Sequence, residues 1–538
     1  MGVHSIPALF KATAERYPTR TALGFVNERE FTYLEVKQIV AGLSAHLKKL
    51  GIRQGDRVAI LSHNMPQWGM AYLAITSAGA VAVPMMPDFK AHEIELILQH
   101  SGASLVFSST QLAHHVPAGY PVIVLESIED LVHAEFPEGE PAPDLSGTDI
   151  LQDTDLASII YTSGTTGEPK GVMLSHGNIL FAVEGGAKIQ PMEADDRFLS
   201  VLPLSHIYEF TLGLILPIAV GASVKYLRKP PTAQILMPAM QSVRPTVMLT
   251  VPLLIEKVYW KSVYPTLQAK PLLRLLYRSR TGKRLLHRLA GKKVYKSFGG
   301  SLKFYGIGGS KLDGRVETFL RDGRFPYAIG YGLTETSPLL AGGSPYHFAW
   351  QSTGSAMAGV ELRIHNADSD TGIGEIQARG KNVMQGYFRN PELTREVFSE
   401  DGWFRTGDLG YIDGKGQLHI KGRLKTTIIG ANGKNIFPED IEHIINSRSF
   451  VKESLVVEKS GKLTGLVHLD YEAIEENLRQ LYDDASEIIR EKVQEILRDI
   501  QEQVNQHVNK YSKLQVVVEQ TQPFERTPSQ KIKRFLYQ

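Results

Sequence analysis

Apolar residues in the first 150 positions alternate between helical spacing and short continuous runs. From Phe31 to Leu50 they recur at helical spacing, and Gly51 follows as a natural C-cap. Val58 to Ser62 is an apolar run that predicts a buried strand, and Trp68 to Ala80 predicts another helix. The alternation continues from Asp195 to Leu227 and indicates an α/β fold with a largely parallel sheet.

Two later apolar runs predict further buried strands that lead directly into glycine-containing loops. They are Leu302 to Ile307 and Ala328 to Tyr331. Open α/β sheets bind their ligands beyond the carboxyl ends of the strands. We therefore expect a ligand site at the loops that follow these two strands.

The residue pattern of the chain changes from about Ile412, where the strand–helix alternation gives way to short glycine-rich elements and then to a smaller unit. A long charged helix is predicted there from Ala473 to about Tyr511. The pattern predicts a large N-terminal domain over 1–423, with several subdomains of mostly parallel sheets flanked by helices. A small, mobile α+β C-terminal domain is predicted over 424–538.

Composition narrows the class of protein. A chain of 538 residues is too long for a single core and predicts two or three domains. The formal net charge of +2 points to neither nucleic acid nor membrane, and we expect no nucleic-acid partner. There is no cysteine, which excludes disulfides, thiolate metal sites and a cysteine nucleophile. The charged N-terminus and the short apolar run from Leu212 to Ala222 predict a cytoplasmic protein.

One segment departs from this balanced composition. Between Glu256 and Asp313 the chain has fourteen Lys and Arg residues and no acidic residue. Two sets of residues fall on different helical faces: Leu272, Leu275, Leu276, Leu286 and Leu289 on one, and Arg274, Arg278, Arg284 and Arg288 on the other. A basic amphipathic segment over 257–311 suits the anionic inner face of a membrane. The alternative is a solvated basic face that lines an entrance for an anionic substrate.

The densest chemical motif is YTSGTTGEPKG, from Tyr161 to Gly171, which follows the apolar run Leu156 to Ile160. Glycines allow backbone N–H groups to turn towards an anion, hydroxyls add donors, and Lys170 adds a positive charge. The spacing is not that of a Walker A loop. The motif predicts a polyphosphate site; the alternative is a polar surface loop between a strand and a helix that begins near Ser175.

Six further segments follow in an order that resembles the adenylate-forming, or AMP-binding, superfamily. They read VLPLSHIYEF, YGIGGSKL, GYGLTETSP, WFRTGDLG, KGRLKTTIIGANGKNIFPEDIE and PFERTPSQKIKR, and with the first motif they extend over nearly the whole chain. The LPLSHIYE and NGKN forms resemble the long-chain fatty acyl-CoA synthetase branch. The resemblance implies roles for individual residues in binding ATP, the acid and CoA, and these roles could not be assigned from any one motif alone.

For ATP and AMP, the resemblance implies a phosphate loop, an adenine loop and ribose contacts. Tyr331 would stack on adenine, Asp408 would accept hydrogen bonds from both ribose hydroxyls, and Arg423 would bond ribose and phosphate. A Mg²⁺ ion would be held by Glu335 and Thr165. The implied ATP/AMP-binding residues are Thr162, Ser163, Gly164, Thr165, Thr166, Gly167, Lys170, Gly308, Gly309, Ser310, Tyr331, Gly332, Thr334, Asp408 and Arg423.

For the acid and the thiol, the resemblance implies roles in three further motifs. His206 and Tyr208 would lie beside the carboxylate substrate, with His206 orienting it or gating the acyl tunnel. Lys531 would be the catalytic lysine, alongside Glu335 and His206, and Lys425 would be the hinge between the domains. The residues implied to line the CoA tunnel are Gly430, Asn432, Gly433 and Lys434.

The implied activity joins a medium- or long-chain fatty acid to coenzyme A through an acyl-adenylate, with ATP and Mg²⁺, and releases AMP and pyrophosphate. An acyl carrier protein is the alternative acceptor, and the same fold serves other carboxylate-activating ligases and luciferase-like oxygenases. From a different class, an inactive nucleotide-binding or membrane-associated protein is supported by Gln530, which stands where most relatives carry glycine.

Overall fold

The computed structural model describes residues 2–137, 143–145, 148, 150–163, 169–429, 435–479, 488–508, 510–527 and 532–538. These residues form two compact units. The first comprises Met1–Arg363, Gln377–Arg405 and Ile412–His419. The second comprises Ile364–Ile376, Thr406–Tyr411 and Ile420–Gln538.

The strands are given in chain order. The first part of the chain contains β1 (Thr21–Phe25), β2 (Glu30–Thr32), β3 (Arg57–Leu61), β4 (Val81–Met85), β5 (Leu105–Ser108), β6 (Val122–Val124), β7 (Leu156–Ser163), β8 (Pro169–Ser175), β9 (Arg197–Leu199), β10 (Ser223–Tyr226), β11 (Val247–Thr250), β12 (Phe304–Ile307) and β13 (Tyr327–Tyr331). The rest contains β14 (Ala341–Gly342), β15 (Ser355–Ala356), β16 (Glu361–His365), β17 (Gly374–Arg379), β18 (Gly386–Tyr387), β19 (Phe404–Ile412), β20 (Leu418–Arg423), β21 (Ile428–Ile429), β22 (Asn435–Ile436), β23 (Val451–Lys459), β24 (Lys462–Leu469) and β25 (Val516–Glu519).

The helices are given in the same way. They begin with α1 (Ile6–Arg16), α2 (Tyr33–Lys49), α3 (Pro66–Ser77), α4 (Ala91–Ser101), α5 (Ile128–Glu135), α6 (His176–Ile189), α7 (Ile207–Glu209), α8 (Leu216–Val220) and α9 (Ala233–Val243). They continue with α10 (Pro252–Val258), α11 (Tyr264–Gln268), α12 (Pro271–Arg278), α13 (Arg280–Ser297), α14 (Gly314–Asp322), α15 (Pro391–Glu396), α16 (Pro438–Asn446), α17 (Tyr471–Arg479) and α18 (Ile488–His507).

Two large sheets organise the first unit. One has the strand order β15-β14-β13-β12-β11-β9-β10-β1-β2, and the other has the order β18-β8-β7-β4-β3-β5-β6. Neighbouring strands in the centre of each sheet are parallel, and the antiparallel pairs lie at the ends. Every residue of β4 is buried, as expected for a central parallel strand covered by helices on both faces.

Local sequence signals explain where the helices of the first unit begin and end. In α2, the Thr32 hydroxyl accepts from Glu35 N–H while the Glu35 carboxylate accepts from Thr32 N–H, which is a reciprocal capping box. Gly51 follows with a positive φ of 86°. In α6, Ser175 and Asn178 form the corresponding reciprocal pair. The predicted helices and strands of this region are present with shifts of a few residues at their ends.

The second unit is a smaller α+β structure. β23 pairs antiparallel with β24, and β24 pairs parallel with β25. Its core joins α16, β23 and α18 through Ile441, Ile445, Val456, Ile500 and Val504. Two further sheets have the strand orders β16-β17-β19-β20 and β21-β22.

The expected α/β class, with mostly parallel sheets in a large N-terminal part and a smaller C-terminal part, is confirmed. The long helix expected from Ala473 to about Tyr511 corresponds to α17 and α18, and residues 480–487 between them lie outside the described part of the chain. None of the described helices combines the length and apolar character that crossing a bilayer requires.

Candidate functional site

The predicted phosphate motif lies on a β-hairpin. β7 and β8 pair antiparallel, with Thr162 opposite Lys170 in the register. Both side chains are half-buried. The expected position between a strand and a helix was wrong, because β8 intervenes before α6 begins, and phosphate binding by the motif stays a prediction. Gly164, Thr165, Thr166 and Gly167 lie outside the described residues, as does the side chain of Ser163.

A third strand connects this hairpin to the predicted metal-binding glutamate. β18 pairs antiparallel with β8, so that Tyr387 lies opposite Val172. The Tyr387 hydroxyl donates a 2.8 Å hydrogen bond to Oε1 of Glu335. The backbone N–H of Met384 also donates to the carbonyl of Glu335, at 2.8 Å. Glu335 is therefore held by β18, the strand that borders the hairpin of β7 and β8.

The segment around Glu335 is a short 3-10 turn, Thr334–Thr336, with many internal bonds. Thr336 Oγ1 accepts from Leu333 N–H at 2.9 Å and donates to Pro338 O at 3.0 Å. The amide of Asn382, which is fully buried, donates to Thr336 O at 3.1 Å and to Leu339 O at 2.6 Å. The sequence analysis assigned no role to Asn382, and nothing in its local sequence indicates that it holds the turn around Glu335.

The other predicted residues of this segment lie beside it. Tyr331 ends β13, and its carbonyl accepts from Leu340 N–H at 2.8 Å. Tyr331 and Thr334 are half-buried and Gly332 is exposed. A Cβ on Gly332 would lie 1.5 Å from the carbonyl oxygen of Pro338, so no other residue fits this backbone.

Glu335 could hold a divalent cation as a single carboxylate ligand. No group of three or more His, Asp or Glu side chains in the described part of the chain is arranged to hold a metal ion. Glu335 offers a half-buried carboxylate, fixed through one oxygen by Tyr387. Mg²⁺ is commonly held by one or two carboxylates together with substrate phosphates, which fits this arrangement. The second predicted ligand, Thr165, lies outside the described residues.

The predicted acyl-site and adenine-loop residues are in contact. A Cβ on Gly306 would lie 2.9 Å from the Tyr208 hydroxyl, and one on Gly308 would lie 3.1 Å from Tyr208 Cε1. The Tyr208 ring therefore packs against the end of β12, where the absence of side chains makes room for it. Gly309 has a positive φ of 88°, and Gly309 and Ser310 are exposed. The structure brings Tyr208 and Gly308 together as one wall.

His206 caps the short helix α7. Its Nδ1 accepts from the backbone N–H of Tyr208 at 3.3 Å, and its carbonyl accepts from Phe210 N–H at 3.0 Å. Because the N–H is the donor, Nδ1 carries no proton in this bond. The cap fixes the ring of His206 beside Tyr208, which is consistent with an orienting role.

Glu209, the next residue, was not singled out from the sequence. Glu209 is 2% exposed, and burial raises the pKa of its carboxyl to about 8, while a hydrogen bond with Ser200 acts in the opposite direction. Helix α7 continues into a π-helical stretch, Phe210–Ile215, and a Cβ on Gly213 would lie 2.8 Å from Glu209 Cδ. The sequence signal that could have identified Glu209 is a single carboxyl inside an otherwise apolar run. π-Helical turns occur frequently at functional sites.

In the second unit, the predicted ribose-binding residues form an ion pair. Arg423 Nε lies 3.2 Å from Asp408 Oδ1, and the aspartate side chain is 7% exposed. The carbonyl of Arg423 accepts from the N–H groups of Thr426 and Thr427, at 3.2 and 3.0 Å. Lys425, the predicted hinge, is exposed within this turn. The predicted CoA residues Gly430, Asn432, Gly433 and Lys434 lie outside the described residues.

Lys531 also lies outside the described residues, but the chain on both sides of its segment is well held. Arg526 forms an antiparallel bridge with Ile532, and Lys533 N–H donates to Glu525 O at 2.8 Å. Arg534 donates to Oε1 of the buried Glu442 at 2.7 Å. The base of this segment is therefore anchored to α16.

Two family descriptions match the chain: AMP-binding enzyme over residues 10–388, and AMP-binding enzyme C-terminal domain over residues 425–537. A long-chain-fatty-acid–CoA ligase of Mycobacterium bovis, FadD15, is 31% identical over 483 residues, 83% of this chain and 78% of its own. The long-chain-fatty-acid–CoA ligase heimdall of Drosophila melanogaster is 30% identical over 82% of this chain and 72% of its own. A chloroplastic long-chain-fatty-acid–[acyl-carrier-protein] ligase of Arabidopsis thaliana, AEE15, is 26% identical over 86% and 76%.

Solved structures share the fold. The o-succinylbenzoate CoA synthetase of Bacillus subtilis, in complex with its acyl-adenylate intermediate, superimposes with a TM-score of 0.77 at 22% identity over 98% of both chains. ATP-bound MatB of Rhodopseudomonas palustris superimposes with the same TM-score of 0.77 at 23% identity, over 99% of this chain and 98% of its own. The motif-based resemblance is confirmed, and the chain belongs to the AMP-binding enzyme family.

Proposed function

We propose that this protein joins a medium- or long-chain fatty acid to coenzyme A through an acyl-adenylate, and releases AMP and pyrophosphate. The observation that carries the proposal is the bond from Tyr387 to Glu335, because it fixes a carboxylate beside the hairpin that bears Thr162 and Lys170. A carboxylate next to a hairpin that is rich in glycine and hydroxyl residues and carries Lys170 suits a nucleoside triphosphate with its cation. Family membership supports the same reading.

In the first half-reaction, a carboxylate oxygen of the acid attacks the α-phosphorus of ATP. The bond to the bridging oxygen breaks, giving acyl-AMP, and pyrophosphate leaves with that oxygen. When bound, Mg²⁺ supplies positive charge to the phosphate oxygens, and Glu335 is the residue that would hold it. Lys170, the hydroxyl-bearing residues of 162–166 and Lys531 would stabilise the charge that develops on the phosphates. The acid is already ionised at neutral pH, so His206 orients it and does not act as a base.

In the second half-reaction, the CoA sulfur attacks the acyl carbon of the mixed anhydride. The acyl–oxygen bond breaks, the thiol proton is released, and AMP leaves. We propose domains at 1–423 and 424–538 and assign Gly430, Asn432, Gly433 and Lys434 to the CoA path. Lys531 would serve the first step and residues 430–434 the second, with Lys425 absorbing the backbone change between them.

We assign residues from several elements to contact the adenosine half of ATP. Gly308, Gly309, Ser310 and Tyr331 would contact adenine, and Thr334 a phosphate. Asp408, whose carboxylate can accept two donors, would bind both ribose hydroxyls, and Arg423, paired with it at 3.2 Å, would bond ribose and phosphate. The contact between Tyr208 and Gly308 supports a shared wall between the acid and adenine sites, as attack on the α-phosphate requires.

The choice of a fatty acid and of CoA rests on relatives and on the LPLSHIYE and NGKN motifs. Two relatives are named long-chain-fatty-acid–CoA ligases, which supports both choices. The Arabidopsis relative is named as a ligase that uses acyl carrier protein, which makes that acceptor the second candidate. An inactive nucleotide-binding or membrane-associated protein is the alternative from a different class.

The test is AMP release by the full chain with ATP and Mg²⁺, across saturated and unsaturated acids from acetate to oleate, with and without CoA. We expect turnover with the longer acids that requires CoA. Acyl-AMP formation that CoA does not consume, but a carrier protein does, would move the acceptor to the carrier. AMP release that no acid stimulates would overturn the ligase proposal.

A further inference from the structure

Exposed leucines are concentrated on two adjacent helices of the first unit, α12 and α13, which pack against each other. On α12, Leu272 and Leu275 are 67% and 64% exposed, and Leu276 is 38% exposed. On α13, Leu285 and Leu289 are 54% and 62% exposed. Scattered single leucines on a surface are normal, but five within eighteen positions require an explanation.

The sequence prediction for this face was wrong in one detail, the placement of Leu286. The segment forms two helices, because α12 ends at Arg278 and Ser279 caps α13 by accepting from Gly282 N–H at 3.0 Å. A Cβ on Gly282 would lie 2.3 Å from Leu276 O, so glycine permits this tight corner. Leu286, placed on the apolar face from its spacing, is buried, and Leu285 is exposed in its place.

The opposite side of α12 is firmly anchored, so its exposed leucines are not the sign of a loose helix. Leu273 and Tyr277, four residues apart, pack against the core that contains Tyr259 and Phe319. The Tyr277 hydroxyl lies 3.1 Å from the Tyr259 hydroxyl and 3.1 Å from His287 Nε2. His287 is buried and its Nδ1 lies 2.9 Å from Asp322. A tyrosine–histidine–aspartate chain thus fixes α12 with its leucines facing outwards.

Positive charge surrounds these leucines. The segment 257–311 contains fourteen Lys and Arg residues and no acidic residue. The structure pairs Arg284 with Asp322 at 3.8 Å and Lys303 with Asp196 at 3.1 Å. Other basic side chains of α12 and α13 are exposed to solvent: Arg274, Arg278, Arg288, Lys292, Lys293 and Lys296. The surface therefore combines an apolar face with cations, and its partner must be apolar and anionic.

We propose that the leucine face of α12 and α13 is a docking surface for an anionic lipid bilayer. Leucines with flanking Lys and Arg are typical of helices that lie in the plane of a membrane interface. Protein-binding hot spots are enriched in Trp, Tyr and Arg, and leucine, which forms the apolar part of this surface, is under-represented there. The surface lies within the first unit and involves none of the proposed catalytic or nucleotide-binding residues. The proposal goes beyond the ligase activity and does not depend on it.

The experiment is co-sedimentation of the full chain with phosphatidylcholine vesicles, with or without phosphatidylglycerol. We expect binding to the anionic vesicles that weakens as salt rises. The leucine variant L272S/L275S/L289S should lose at least roughly tenfold in affinity. The charge variant R274Q/R278Q/R288Q should lose roughly a hundredfold, since each basic residue near an anionic surface contributes roughly fivefold.

Matched controls separate this surface from general effects. L34S/L50S/L96S removes three exposed leucines on other elements, and K48Q/R53Q/K229Q removes three exposed charges elsewhere. Both controls should bind like the wild type, and all variants should keep ATP–pyrophosphate exchange with octanoate, a soluble acid. Absence of binding by the wild type, or equal binding by the leucine or charge variant, would overturn the proposal. Binding to a purified acidic acyl carrier protein in place of vesicles would also overturn it.

Discussion

The hydroxyl of Tyr387 donates a 2.8 Å hydrogen bond to Glu335, although 52 residues separate them in the chain. Burial raises the pKa of Tyr387 above its usual value, and the nearby Glu335 raises it further, so Tyr387 stays a donor at every working pH. This bond orients the carboxylate that we assign to the magnesium ion. Partners of a metal ligand often matter nearly as much as the ligand itself.

We therefore expect Tyr387→Phe to raise the Mg²⁺ concentration needed for half-maximal adenylation by roughly ten- to a hundredfold. Glu335→Gln should have a larger effect, since it removes the charge itself. The measurement is ATP–pyrophosphate exchange as a function of Mg²⁺. Tyr346→Phe, which removes a hydroxyl that donates to Arg324 O, is the control and should change nothing. An unaltered Mg²⁺ dependence in Tyr387→Phe would contradict the role given to this bond.

Gly308→Ala tests the proposal that the acid and adenine sites share a wall formed by Tyr208 and Gly308. Its new Cβ would approach Tyr208 Cε1 at 3.1 Å and displace the ring. We expect kcat/KM for adenylation to fall roughly ten- to a hundredfold, because a shift of the reacting groups is costly. Gly414→Ala, where a Cβ would meet nothing within 4 Å, is the control. If the two variants had equal kinetics, the assignment of Tyr208 and Gly308 to the active site would be contradicted.

Glu209 predicts a specific dependence of stability on pH. Its pKa in the folded state is about 8, above the value of 4.5 for an unperturbed glutamate, so the folded state keeps a proton that the unfolded state has lost. Between these two values, stability should fall as pH rises, by about 1.4 kcal/mol per pH unit from this group alone. Glu209→Gln removes that contribution, and Glu400→Gln, at an exposed position, does not.

The measurement for Glu209 is the thermal unfolding midpoint of the three proteins from pH 5.5 to 8. Wild type and Glu400→Gln should lose stability in parallel as pH rises, and Glu209→Gln should lose less. Parallel curves for all three would show that Glu209 does not hold a proton in the folded protein.

Lys425→Pro tests the proposed hinge. Lys425 lies exposed in the turn where Thr426 and Thr427 N–H donate to Arg423 O. Proline fixes φ at 425 and should spare adenylation while slowing conversion of acyl-AMP to thioester. Lys425→Ala keeps the backbone free and should retain both rates. A normal second-step rate in Lys425→Pro would reject the hinge assignment.

Lys531→Ala tests the division of labour between the two half-reactions. We expect adenylation to fall by at least roughly a hundredfold, since the lysine would stabilise charge in that step alone. Conversion of supplied acyl-AMP to thioester should continue at a rate close to that of the wild type. Lys533→Ala serves as the control. Equal loss of both half-reactions would contradict the two-state mechanism.

The sequence allowed the alternating fold and the family motifs to be predicted, because periodicity and glycine-rich loops are local signals. Contacts that depend on strand pairing could not be predicted from these local signals, because pairing brings together residues that are distant in the sequence. Tyr387 reaches Glu335 only because β18 pairs with β8, and Asn382 holds the same turn from a distant position. The exposure of Leu285 in place of Leu286 depends on the helix break at Ser279, which helical spacing alone did not reveal.

The most direct test of the central claim is a single turnover with ATP labelled at the α-phosphate, excess enzyme, Mg²⁺ and a long-chain acid, without CoA. We predict that label accumulates as acyl-AMP and that added CoA then converts it to AMP and acyl-CoA. Label that appears as ADP, or no labelled acyl species at any time, would contradict the adenylate mechanism.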